Sequence, residues 1–399
     1  MNPSTQRRII DELSALLAAR STELAEQPRL HPANIYKCAD LHDRERHELF
    51  RGHPLVAGYA EELSNPGDFV TREIVGVPIL MVRDRSGAIR AFLNVCRHRG
   101  NVVCESPAGN AKAFVCQYHG WVYGNDGTCR SFGHPTAFAG CSLNDFALRR
   151  LPVEVRHGLV WVLLTPGQDL SVEAFLGPTL DDELAGFAGS CARVFAQRVT
   201  THAFNWKLGV ETFLEIFHIS TLHRTSIAAH FLDGLMTSEK LGSHYRITAA
   251  RPSFADVATK SANEWALTDH CVFIYLLFPN TVYLFQREHV QVYSFFPGRH
   301  PGECQVRTAL LRPDGRVADR ATRHWQNNWD LISQAVYDED FRAMERVQRG
   351  ISAGASDGFI FGRNESVLQA YHDEIRRCLS ASSGASSPHS VRGTVTSDE

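Results

Sequence analysis

The chain has 399 residues, a formal net charge of −3, 44% hydrophobic and 21% charged residues. That length is enough for two domains with proper cores, and the balance is that of an ordinary globular protein. No dense basic block speaks for nucleic acid or anionic lipid, and the longest apolar runs, 159–164 and 271–279, fall far short of a membrane span. The N-terminus, Met-Asn-Pro-Ser-Thr-Gln-Arg-Arg, soon meets Asp11 and Glu12 and lacks a signal-peptide core, so a cytoplasmic protein is expected. Ten cysteines in a chain this long are not a secreted disulfide density. Cys38, Cys104, Cys129, Cys141, Cys191, Cys271, Cys304 and Cys378 read as reduced, mostly buried thiols.

Ile9, Ile10, Leu13, Leu16 and Leu17 stand at helical spacing and predict an amphipathic helix over 5–27, inside an N-terminal segment of residues 1–39. A second helix is expected near 43–51. From Asn65-Pro66-Gly67 onward the period changes. Short apolar runs at 69–74, 77–83, 89–95, 113–116, 121–123, 151–155 and 159–164, broken by Gly76, Ser86-Gly87 and Asn125-Asp126-Gly127, predict an antiparallel β domain over 40–165. Beyond Pro166-Gly167 a second domain extends to residue 380. It has a helix at 170–190, a strand at 192–202, a helix at 205–223 and a strand-rich block at 244–311. A long helix at 319–350, with Trp325, Trp329, Ile332, Val336, Met344 and Val347 on its apolar side, and a final helix at 364–379 complete it. The Ser-rich tail, 381–399, reads as disordered.

The chemistry is concentrated in residues 94–121. Cys96-x-His98 is followed after 17 residues by Cys116-x-x-His119, two thiolates and two imidazoles from adjacent loops. Zinc accepts such a set, but a one-residue gap is foreign to zinc-finger spacing. A Rieske [2Fe–2S] centre puts two Cys on one iron and two His on the other, so each loop supplies one of each. Gly100 and Gly120 follow the two histidines, where tight ligand loops need backbone freedom.

A second constellation is weaker on its own. His218 and His223 lie five apart, roughly 140° round an ideal helix, so they are either unrelated or carried by a helix that distorts or ends between them. The 2-His-1-carboxylate facial triad with open positions is the oxygen-activating non-haem iron site. Asp338, Glu339 and Asp340 offer three possible carboxylates, whose plain alternative is a solvated helix face. A Rieske centre relays single electrons, and the 230 residues beyond it suggest an acceptor in the same chain.

With these motifs the sequence resembles the large subunit of Rieske non-haem iron oxygenases. The resemblance runs from about Tyr36 to Ile375 and rests on Asn94-Val95-Cys96-Arg97-His98-Arg99-Gly100, Cys116-x-Tyr118-His119-Gly120-Trp121, Asn205-Trp206-Lys207, Glu215-x-x-His218-x4-His223 and Glu339-Asp340-x7-Gln348-x-Gly350. It implies an α+β fold, a Rieske antiparallel β domain plus a helix-grip catalytic domain. It further implies Cys96, His98, Cys116 and His119 on the cluster and His218, His223 and Asp340 on mononuclear Fe(II). Head-to-tail homotrimers, with or without a β subunit, follow from the same likeness. Glu215 would then bridge His218 to His119 of the next subunit, where most of the family has Asp. Thr212 departs from the Asn that often follows the Glu211 position.

The implied activity is hydroxylation or cis-dihydroxylation of a small substrate with O2. NAD(P)H electrons would come through a separate reductase or ferredoxin, since no nucleotide-binding Gly-rich turn or four-Cys ferredoxin set is present in the sequence. Phe213, Phe217, Phe231, Phe273, Tyr275, Phe285 and Tyr293 are the expected pocket residues. An aromatic lining suits a planar ring by stacking or a quaternary ammonium by cation–π attraction. Glu211-x-x-x-Glu215-x-x-His218 is similar to members acting on carnitine- and betaine-type amines. A Rieske electron carrier without oxygenase activity is the competing class.

Overall fold

A computed structural model describes residues 1–188, 193–259, 266–313, 319–354 and 356–383. The expected tail disorder concerns residues that lie outside this set beyond Ser383.

Two-residue periodicity sorts the first β region into layers. A five-stranded antiparallel sheet runs in the order Arg150–Leu151, Ile89–Leu93, Val77–Arg83, Asp68–Ile74, Ala108–Asn110. Along Val77–Arg83, Leu80 and Val82 join one apolar core with Phe92 and Trp121, while Ile79 and Met81 join another. A strand buried on both faces reads as a continuous apolar run, as this one does. Val75 and Gly76 both have positive φ, +53° and +74°, and make the two-residue hairpin that the break at Gly76 predicts. Two three-stranded sheets complete the region, Val153–Arg156 with Leu159–Val162 and Leu55–Tyr59, and Ala113–Val115 with Val122–Gly124 and Cys129–Ser131.

The second region is built on a seven-stranded antiparallel sheet. Its order is Arg193–His202, Cys304–Arg312, His289–Pro297, Thr281–Gln286, Cys271–Leu277, His244–Ala250, Met236–Leu241. Both faces are buried, each large apolar side chain contributing about 1.5–3 kcal/mol. Val272, Ile274 and Leu276 face the helix Trp206–Glu211 and the long helical run after residue 319. Phe273, Tyr275 and Leu277 face the opposite way, toward Ile9 and Leu13 of the N-terminal helix and Leu180, Leu184 and Phe187 of Pro178–Ala188.

The N-terminal helix covers Pro3–Ala18, capped by the Asn2 side chain on the Thr5 N–H, and stops well before residue 27. Arg20 adopts a φ of +48°, which ends it. The first 54 residues pack with the second region. Arg29–Pro32 pairs with Gly358–Phe361. Glu45, fully buried, meets the Lys207 ammonium at 2.6 Å and accepts the Trp206 indole N–H at 2.8 Å. Burying such a pair costs desolvation that only good geometry offsets; here it clamps the start of the helix that leads to the second metal site.

Three expected helices are subdivided. Residues 170–190 make Val172–Leu176 and Pro178–Ala188. Residues 205–223 make Trp206–Glu211 and Ile219–Leu222 with a turn between. Residues 319–350 make Asp319–Ile332, a π-helical stretch Ser333–Asp340, and Phe341–Ala353. Among the described cysteines, Cys96, Cys116, Cys129, Cys271 and Cys304 are buried, Cys38, Cys104 and Cys378 half-buried, and Cys141 exposed; none of them is in a disulfide.

Candidate metal centres

The two cluster loops fold alike. In each, the glycine four residues after the cysteine is left-handed, with φ of +76° at Gly100 and +69° at Gly120, and its N–H donates to the cysteine carbonyl at 3.0 and 2.9 Å. Each cysteine N–H in turn donates across the loop, Cys96 to Asn101 at 2.7 Å and Cys116 to Trp121 at 2.9 Å. Cys96 and Cys116 are buried while His98 and His119 reach the surface with ring centroids 4.5 Å apart. His98 lies flat on Trp121 at 5.1 Å, and its buried Nδ1 has no hydrogen-bond partner. The donors thus divide into a deep sulfur pair and a superficial nitrogen pair, as a two-iron cluster needs. Among the described residues they do not form a three-donor group of single-ion size.

Sequence reading missed Tyr123. Its hydroxyl lies 3.2 Å from Cys96 Sγ and accepts the Arg97 N–H at 2.9 Å. Asn101 Nδ2 donates to Cys116 Sγ at 3.7 Å. Hydrogen bonds to cluster sulfurs stabilise the reduced, more negative state and raise the potential.

His218 and His223 stand at the two ends of a single helical turn, His218 just before Ile219–Leu222 and His223 just after it. The helix ends between Glu211 and His218, so a spacing that would splay two ligands on one helix brings these rings to 5.1 Å. Ligand atoms of His218, His223 and Asp340 all lie within 4.8 Å of one another, and among the described residues this is the group suited to a single ion. Asp340 Oδ1 is 2.9 Å from His223 Nε2 and 3.5 Å from His218 Nε2. The angles leave that buried oxygen without a hydrogen-bond partner. A buried carboxylate oxygen facing two imidazole nitrogens fits a cation between them.

The other acidic side chains have different tasks. Glu339 accepts His223 Nδ1–H and the Ser226 hydroxyl, the latter at 2.7 Å. Glu215 accepts His218 Nδ1–H and the His218 backbone N–H. Each carboxylate therefore turns the remaining Nε2 toward Asp340. Asp338 points outward, 64% exposed, and pairs loosely with Arg342 at 3.8 Å. The π-helical stretch ending at Asp340 lets Glu339 and Asp340 both face inward.

Glu211 anchors a buried network beside this site, accepting the Tyr36 hydroxyl and His372 Nε2–H, each at 2.9 Å. Burial lifts its carboxyl from 4.5 to about 7, against the downward pull of Tyr36, His31 and Lys207. The folded value lies above the unfolded one, so the stability from protonated Glu211 is complete below about pH 4.5 and lost as pH rises through about 7. Glu211→Gln should therefore match the parent at pH 4.5 and exceed it by about 3 kcal/mol at pH 8. Thermal unfolding of both proteins at the two pH values checks this; equal differences at both would refute the buried titration.

The expected pocket aromatics part company. Phe213 stacks on Tyr293 at 4.6 Å on the metal side of the sheet, and half-buried Phe217 lies against Gly234. Phe231 lines a cavity of about 480 Å³. Phe273, Tyr275 and Phe285 are corrected: they pack with Phe187 on the far face, Phe285 at 4.0 Å, because side chains alternate along their strands. A separate cavity of about 380 Å³ has His218, Asp340, Glu215, Glu211 and Glu365 on an otherwise apolar wall that includes Met344 and Phe361.

A sulfur–nitrogen pair of loops on one β region and a two-histidine, one-carboxylate group gripped between a large sheet and a helical run define a chain with two separate metal-binding centres. Comparison with known proteins agrees. Residues 53–147 match the Rieske [2Fe–2S] domain, and residues 191–381 match the ring-hydroxylating alpha subunit catalytic domain. The chain belongs to the Rieske non-haem iron oxygenase family as a large, or alpha, subunit. It is 32% identical over 233 residues to the biphenyl 2,3-dioxygenase alpha subunit of Rhodococcus jostii (strain RHA1), covering 55% of this chain and 50% of the relative. It is 31% identical over 192 residues to the glycine betaine monooxygenase oxygenase subunit of Pseudomonas aeruginosa (strain UCBPP-PA14), covering 48% and 44%. These alignments span about half the length of the curated relatives. The fold matches the quaternary ammonium Rieske monooxygenase CntA, solved with an inhibitor, at a TM-score of 0.76 and 20% identity over 88% of this chain and 96% of the other. Among the described residues no helix is long and apolar enough to cross a membrane.

Proposed function

We propose that this chain is the terminal oxygenase component that hydroxylates a small organic substrate with O2, using electrons that originate in NAD(P)H and arrive through a separate reductase or ferredoxin. The observation that carries this reading is the buried Asp340 oxygen, unpartnered and facing the Nε2 atoms of His218 and His223. When bound, the [2Fe–2S] group supplies single electrons and ferrous iron supplies O2 binding and reduction beside the substrate. Cys96, Cys116, His98 and His119 would hold the cluster, and His218, His223 and Asp340 would hold the iron. Glu215 and Glu339 keep the two histidines in one tautomer and orientation.

Glu215 has a second task in this reading, linking His218 to His119 of a neighbouring copy in a head-to-tail homotrimer. Its cavity opens to the surface beside Ile360, 74% exposed, which pairs with Leu30, 71% exposed. Tyr118, 55% exposed and 3.8 Å from the His119 ring, would be the first residue of the neighbour to enter there. Exposed apolar pairs of this kind mark contact surfaces.

Aromatic hydroxylation is the leading chemistry; demethylation of a quaternary amine is the second, favoured by Glu211-x-x-x-Glu215-x-x-His218 and by the likeness to CntA. Iron and acid-labile sulfide, with visible and EPR spectra of anaerobically purified protein, test the reading. About three irons and two sulfides per chain are expected. A protein with only about two irons, even after ferrous reconstitution, would favour the electron-carrier class.

A further inference from the structure

The cavity of about 480 Å³ is walled by elements that also build the candidate iron site. Ile227 lies four residues past His223, in the turn where the Ala228 N–H donates to the His223 carbonyl at 3.1 Å. Asn328 and Leu331 belong to the helix that continues into the π-helical stretch ending at Asp340. Gln291 accepts the Tyr293 hydroxyl at 2.7 Å, and Tyr293 stacks on Phe213, between Glu211 and Glu215 in the chain. This cavity does not contain Glu215, so a neighbouring copy docked at Glu215 leaves it available.

Its charges do not cancel in pairs. Arg287 meets Asp269 at 3.0 Å, and Glu288 lies 3.5 Å from His324. Burial holds His289 down to about 4, so it is neutral near pH 7. Arg251 is left over. Its backbone is tied to the His270 carbonyl at 2.8 Å, and among the described residues its guanidinium reaches the Gln286 side-chain oxygen at a marginal 3.5 Å. Its buried Nε has no partner, and among the described residues no carboxylate lies within ion-pair distance of it. Lys207 and Arg246 of this region have carboxylates, Glu45 and Glu183, and Arg307 is held by the Ala57 and Glu73 carbonyls and the Gln305 side-chain oxygen. A guanidinium stays charged under such desolvation, and a half-buried charge without a counter-ion is costly. The free fork matches a carboxylate, which it can take bidentately.

We propose that Arg251 is the anchor for a substrate carboxylate, with Phe231 and Ile227 holding the apolar part of the molecule. This narrows the substrate class of the oxygenase reading, on which it rests, to small organic acids, either an aromatic acid or a betaine-type zwitterion. An uncharged aromatic hydrocarbon would leave Arg251 unpaired.

The test is calorimetric titration of the purified, iron-loaded full chain with benzoate, benzamide, glycine betaine and choline. At least one of the two carboxylates should bind at least about tenfold more tightly than its uncharged or carboxylate-free partner, and which one binds identifies the aromatic or betaine source. Arg251→Leu should weaken that binding roughly 10–100-fold with the cluster spectrum unchanged, and Arg251→Lys should recover part of it. Equal binding of benzoate and benzamide together with equal binding of betaine and choline, unaltered affinity in Arg251→Leu, or no binding by either carboxylate would overturn the assignment. A parent chain that takes up no second iron on ferrous reconstitution, yet binds the carboxylate through Arg251, would overturn the oxygenase reading alone.

Discussion

Asp340→Ala should yield a chain that carries its cluster but not its mononuclear iron, falling from about three irons to about two, with turnover lost. The visible and EPR signature of the cluster should be unchanged, because Val336 and Phe341 beside Asp340 belong to one apolar core and Cys96 and Cys116 to another. The prediction is sharp because two neighbours serve as controls. Asp338 points to solvent and pairs loosely with Arg342, so Asp338→Ala should keep full iron and activity. Glu339 orients His223 through Nδ1, so Glu339→Ala should weaken metal affinity or activity roughly 10–100-fold without abolishing the site. Metal analysis of the three purified variants decides the matter. Full turnover in Asp340→Ala would show that the third ligand is another group.

Glu215→Gln should leave both metal contents intact and slow electron transfer from cluster to iron roughly 10–100-fold, the usual scale for losing the carboxylate behind a ligand histidine. Glu215 holds His218 Nδ1 and lines the surface cavity into which a neighbour's His119 would come. A neutral amide still accepts one hydrogen bond but cannot hold two imidazole N–H groups from opposite sides as a carboxylate does. Single-turnover reduction kinetics read this step directly. Rates equal to the parent, with His218 still ligated, would confine Glu215 to orienting His218 within its own chain.

Local chemistry made part of this protein readable from the sequence alone. The cluster loops are short, and each closes through its own glycine and its own backbone bonds, so Cys96-x-His98 and Cys116-x-x-His119 carry their geometry with them. The period-two runs of the β region and the turn at Val75-Gly76 are local in the same sense.

The second centre is assembled from parts more than a hundred residues apart, and there only the tertiary structure decided. Spacing alone argued against His218 and His223; a helix that ends after Glu211 and restarts for one turn reverses that argument. Local pattern did not separate the three adjacent acids, and Asp340 was implied only by family likeness; a π-helical stretch sends Asp338 to solvent, Glu339 to His223 Nδ1 and Asp340 to the space between the rings. Alternation puts Phe273 and Tyr275 on one face, but the pairing of Phe285 with Phe273 and the packing of Pro3–Ala18 and Pro178–Ala188 against that face decide that all three are turned away from the metal. A strand's own sequence determines which residues point together, and the layer that covers each face determines what they point at.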